Sequence, residues 1–158
     1  MKEKDIKLLD DINMIVTCYK IMIQIKQPSK EWVIAMLKSI DPIKEIEAVT
    51  FNNDPNDMLG KEGGYSECIY FSLKDVDGSK IPGTTIIEKG TDAGGAIEIY
   101  RKLKDAQNRC EYLSEFDGTL LYSGSYTLFG TMVIRTSYQL TNEEQVAMVN
   151  TIIEKMIE

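Results

Sequence analysis

Two strand-like runs, Ile46–Phe51 and Glu67–Leu73, are separated by Asn52-Asn53-Asp54-Pro55-Asn56-Asp57-Met58-Leu59-Gly60-Lys61-Glu62-Gly63-Gly64-Tyr65. Asn, Asp, Pro and Gly at this density favour turns over either regular structure. The two runs are therefore expected to pair with each other across a loop far longer than a hairpin needs, which commits this part of the chain to an antiparallel sheet. A second glycine-acid stretch, Lys89-Gly90-Thr91-Asp92-Ala93-Gly94-Gly95, leads into the next strand in a similar way.

The flanking periodicities fill in the rest. From Lys4 to Ile25, apolar residues at Leu8, Ile12, Ile15, Val16, Tyr19, Met22 and Ile23 lie on one wide helical stripe, with Pro28 as the stop. Ser29 is positioned to cap a second helix carrying Trp32, Val33, Met36, Leu37 and Ile40. Thr84 to Glu88 has the branched residues of a short edge strand, and Ala96 to Arg101 those of another strand. Asp105 to Leu113 reads as a helix through Ala106, Cys110 and Leu113. Tyr126–Phe129 and Thr131–Thr136 read as a hairpin turning at Gly130. Thr141 with Glu144 forms a capping box ahead of a last helix with Val146, Val149, Ile152, Ile153 and Met156 on its stripe. The expected fold is α+β: an antiparallel sheet of about five strands with helices packed on one face. An N-terminal amphipathic helix, Met1–Gln27, precedes a single domain, residues 28–158. Its stripe needs a cover, either the rest of the chain or a second copy of it.

Composition narrows the chemistry. The 158 residues contain no histidine, which removes Ser-His and Cys-His nucleophiles and His-held metals together. No Gly-x-x-x-x-Gly-Lys-Ser/Thr phosphate loop, Gly-x-Gly-x-x-Gly turn or Gly-x-Ser-x-Gly elbow is present. Glu115-Phe116-Asp117-Gly118-Thr119 imitates a phosphatase loop, but a glutamate stands where the nucleophilic aspartate belongs, at a helix end rather than a core strand. Glu98, Glu115 and Asp117 offer carboxylates for glycoside chemistry, although surface acids are the simpler expectation. Cys18, Cys68 and Cys110 lack metal-ligand spacing and read as reduced thiols, with a Cys68–Cys110 bridge open only to an exported protein.

With 25 acids against 18 bases the net charge is −7, so nucleic acid is not an expected partner. Asp41, Glu45, Glu47, Asp54, Asp57, Glu62, Glu67, Asp75 and Asp77 crowd one stretch; folded onto one surface they suit a basic partner or a cation, while a solvated face is the plainer reading. Asp54, Asn56, Asp57 and Asp92 are oxygen ligands that calcium accepts, but turn chemistry explains the same residues without a metal. No run has the length of a membrane span and no signal core is evident, which makes the cytoplasm the default expectation.

Several runs together resemble an uncharacterised domain of Gram-positive bacteria. They are Asn53-Asp54-Pro55-Asn56 with Leu59-Gly60 and Gly63-Gly64-Tyr65; Gly90-Thr91-Asp92-Ala93-Gly94-Gly95-Ala96-Ile97-Glu98-Ile99-Tyr100; Asp105-Ala106 with Arg109 and Tyr112-Leu113; and Ser123-Gly124-Ser125-Tyr126 leading to Val133-Ile134-Arg135-Thr136-Ser137 and Leu140-Thr141. The resemblance runs from about Pro28 to the C-terminus. It implies a relationship to lipoproteins and membrane-anchored proteins of the cell envelope, and no activity. This chain carries the Met1–Gln27 helix where such proteins carry an anchor.

The function expected from these readings is a non-catalytic binding domain with a protein partner and neither cofactor nor metal. Its recognition surface is expected where the two glycine loops meet at one end of the sheet: Asp54, Asn56, Asp57 and Asp92, with Tyr65 and Tyr100 as rigid aromatic contacts. The alternative is a small acidic inhibitor or immunity protein of a mobile element that binds a basic toxin or nuclease.

Overall fold

The computed structural model describes residues 2–24 and 28–158, with the side chains of 18 and 20–24 outside that description. The expected helix boundary at Gln27 therefore lies outside the described residues, as do the side chains of Cys18, Met22 and Ile23. The order of elements is α1 (Glu3–Gln24), α2 (Lys30–Lys38), β1 (Ile43–Ala48), β2 (Glu67–Leu73), α3 (Ile86–Lys89), β3 (Gly94–Ile99), α4 (Leu103–Ser114), β4 (Ser125–Phe129), β5 (Met132–Thr136) and α5 (Asn142–Ile157). All neighbouring strands pair antiparallel in one sheet of order β1-β2-β3-β5-β4, giving the α+β fold the pattern predicts.

Local chemistry accounts for the ends of these elements. Ser29 accepts from the Trp32 N–H to start α2, and Thr141 with Glu144 closes both halves of a capping box on α5. The same box, Thr85 with Glu88, turns the Thr84–Glu88 run into the short helix α3, not the edge strand its branched residues favour. Two donors satisfied at one helix end outweigh a weak β preference, and Ile86 and Ile87 pack onto the face of the sheet rather than extending its ladder. β1 begins at Ile43, earlier than its apolar residues imply, with a register shift between Ile43 and Glu45.

Alternation along the strands sends side chains to two different cores. One face carries Ile69, Phe71, Leu73, Ile97, Ile99, Met132 and Ile134, covered by Val33, Met36 and Leu37 of α2 and by Met148, Val149, Ile152 and Met156 of α5. This is the expected helical layer. The opposite face is also closed: Cys68, Tyr70, Ala96, Tyr100 and Val133 lie beneath Ala106 and Leu113 of α4, Ile86 and Ile87 of α3, and Val49, Leu59 and Tyr65 of the long loop.

α1 differs from every other helix. Leu8, Ile12, Ile15 and Tyr19 are 60%, 47%, 66% and 63% exposed, so the stripe stands clear of the domain. Among the described residues, no helix is long and apolar enough to cross a membrane.

Candidate functional site

The loop between β1 and β2 is organised by a single carboxylate. Asp54 Oδ2 accepts the backbone N–H groups of Met58 and Leu59, both at 2.7 Å, and Oδ1 accepts that of Asn56 at 3.0 Å. The Tyr65 hydroxyl donates to the same Oδ1. Partial burial pushes the Asp54 pKa up, but the Tyr65 hydroxyl and the three N–H donors outweigh it and hold the carboxyl below its usual range. With its oxygens filled by donors, Asp54 is not available to a cation in this geometry. Gly64 lets the loop close: a Cβ there would sit 2.0 Å from the Met58 carbonyl oxygen.

The remaining expected site residues divide. Asn56 donates its amide to the Tyr65 hydroxyl at 3.3 Å and the Tyr70 hydroxyl at 3.5 Å. Asp57 is exposed, takes a φ of 52°, and pairs with Lys61 at 2.5 Å. Tyr65 and Tyr100 are both fully buried, edge to face with ring centroids 6.2 Å apart, so they are core residues rather than contacts for a partner. Asp92 lies elsewhere. The register pairs Glu67 with Ile99 and Ser72 with Gly94, which puts the 49–66 loop and the 89–95 turn at opposite ends of the sheet. The two glycine loops do not converge. At the second turn, Gly95 permits the sheet itself, because a Cβ would come within 2.2 Å of the Arg135 carbonyl oxygen on the neighbouring strand.

What lies under the long loop is a cluster of buried charge. Glu98, expected at the surface, is fully buried on β3. It accepts from Arg109 through Nε and Nη2, each at 3.0 Å, from Arg135 Nη1 at 3.2 Å and from the Tyr100 hydroxyl at 2.8 Å. Arg135 also donates to Ser123 Oγ at 2.7 Å. Burial alone raises the Glu98 pKa, and the charges of Arg109 and Arg135 more than reverse this, keeping the carboxylate ionised. Burial and the Glu98 charge both drive the Tyr100 hydroxyl well above its ordinary range. Burial likewise pushes up the thiols of Cys68 and Cys110, which are free. Asp117 accepts from the Tyr126 hydroxyl at 2.6 Å in the turn after α4, well separated in role from Glu98.

The sequence does contain a signal for this cluster. Arg109 stands between Ala106 and Leu113 on the inner stripe of α4, and Arg135 alternates with Val133 on β5; two arginines at inward positions require a buried acid. Glu98, at the inward phase of β3, is that acid.

Between the loop and α4 opens a cleft of about 270 Å³ lined by Asn56, Met58, Gly63, Asp105, Asn108, Arg109 and Tyr112. Arg109 forms its inner wall, with the guanidinium carbon 5.5 Å from the centre of the Tyr112 ring. The acidic stretch, by contrast, makes no uniform anionic face. Asp41 pairs with Lys74, Glu67 with Lys30 and Asp77 with Lys80, while Asp54 is turned into its loop. Comparison with known proteins yields no family model, no curated protein and no solved structure that matches this chain.

Proposed function

We propose that the protein is a non-catalytic interaction domain that docks onto another protein through α1. The observation that carries this reading is the exposed stripe Leu8, Ile12, Ile15 and Tyr19. Its 4-3-4 spacing is that of a coiled-coil seam, and a helix of this length does not hold such a stripe in water without a partner at little cost. A second copy meets the same requirement, since the seam is self-complementary.

The absence of catalysis is supported by the chain's own groups. There is no imidazole, the one fully buried carboxylate among the described residues is saturated by donors, and burial raises the Cys68 and Cys110 thiols. Placement at a bacterial envelope rests on the resemblance of the sequence motifs alone. The lysine pairing of the acidic stretch weakens the case for an inhibitor of a basic toxin.

Light scattering during size exclusion, together with pull-down from host lysate, tests the reading. The intact chain is expected to run as a dimer or to retain a specific protein, and Leu8→Glu with Ile15→Glu is expected to abolish whichever occurs while leaving the domain folded. A monomer that captures nothing, or an association indifferent to both substitutions, removes the basis for this function.

A further inference from the structure

We propose that the cleft between the long loop and α4 binds a small zwitterion of the α-amino-acid class, its carboxylate on Arg109 and its ammonium on Asp105. The argument begins with how Arg109 is held. It is only 8% exposed, and Glu98 fixes it through Nε and Nη2. Nη1 has no hydrogen-bond partner among the described residues. Nη1 is not among the fully buried side-chain atoms left without a partner, and Arg109 lines the cleft with its guanidinium carbon 5.5 Å from the centre of the Tyr112 ring. A guanidinium fixed on one edge and open on the other is pre-organised to receive a carboxylate.

One turn earlier on α4, Asp105 lines the same cleft, and the Arg109 guanidinium one turn on is taken by Glu98. Residues at this spacing on a helix ordinarily pair with each other. Here Arg109 is drawn beneath the helix by Glu98, which leaves opposite charges one turn apart on the α4 side of one cleft. A carboxylate alone would meet repulsion from Asp105 and an amine alone repulsion from Arg109, so a ligand carrying both is selected. Asn56 and Asn108 bring amide groups to the rim, and Met58 and Tyr112 provide apolar surface for a side chain. The volume of about 270 Å³ is smaller than a drug-sized pocket and suits a metabolite.

Calorimetric titration of the purified chain with L-leucine, L-methionine, N-acetyl-L-leucine and L-leucinamide is the test. Saturable binding of at least one free amino acid is expected, with both blocked leucines at least about tenfold weaker. Asp105→Asn, which leaves the Glu98 cluster intact, is expected to weaken the free amino acid by about tenfold, and Asn108→Ala by less. No saturable heat up to about 10 mM for either amino acid overturns the proposal. So does equal binding of the N-acetyl compound, or of the amide. The two blocked compounds are compared on the unmodified protein, so the outcome is decided even where a variant folds poorly.

Discussion

The side of the sheet beneath α2 and α5 and the side beneath α4 are buried to the same depth with opposite chemistry. The first is built almost wholly of apolar side chains, and its stability comes from area removed from water and from close packing. The second holds Glu98, Arg109, Arg135 and three tyrosines, and must offset the desolvation of charge before it contributes anything. An aliphatic face tolerates changes that keep volume. A charged one depends on every member being present.

Removing one partner of the charged side is therefore the most damaging change available. Glu98→Gln leaves two arginines facing a neutral amide and is expected to cost about 3–5 kcal/mol, measured by urea denaturation. A loss below about 1 kcal/mol would mean that solvent reaches the arginines and that the two faces do not differ as argued. Ile97→Ala, the adjacent residue on the aliphatic side, is expected to cost about 2–5 kcal/mol through the cavity it leaves, while Ile97→Val costs only about 0.5–1.5 kcal/mol. That graded response is the mark of packing, and Glu98 has no equivalent gentle replacement.

Asp54→Ala sharpens the comparison at the edge of the polar side. It removes an acceptor for three backbone donors and one hydroxyl, and a loss of about 2 kcal/mol is expected from the scale of helix-cap deletions. Because the folded carboxyl titrates below its unfolded value, the contribution is present above the unfolded pKa and is lost as pH falls through the folded one. Melting temperatures of the variant and the unmodified protein should accordingly converge in acid.

Asp92→Asn gives the smallest effect and the opposite sign. Burial raises the Asp92 pKa more than Arg135 lowers it, so its ionised form opposes folding at neutral pH. The variant should melt slightly higher than the unmodified protein at pH 7, and the difference should vanish as pH falls below the unfolded value, where both side chains are uncharged in the unfolded chain. A lower melting temperature at pH 7 would mean that the Asp92 carboxylate is partnered and stabilising.

Much of the fold was legible in local pattern. The Thr141–Glu144 box, the Ser29 cap, the loop between β1 and β2 and the hairpin turning at Gly130 follow from side chains acting on their own backbone, within four residues or so. The same grammar was present at Thr85 and Glu88, where the branched residues between them masked it. The site was legible only in part. Asp54 was conspicuous, but as a recognition residue rather than the centre of its loop, and Tyr65 and Tyr100 were conspicuous although neither reaches the surface. Resemblance between two glycine loops said nothing about where they lie.

The chain by itself determined which segments become helix or strand, Thr84–Glu88 excepted, that the strands run antiparallel, and that imidazole chemistry is impossible, because each depends on residue type and short-range spacing. Only the tertiary structure decided that β2 and β3 place the two glycine loops at opposite ends, that Glu98 meets Arg109 and Arg135, and that α1 stands apart from the domain. Register and partnership between distant residues are set by the joint packing of all elements, and no local property of a carboxylate distinguishes one facing water from one facing two buried arginines.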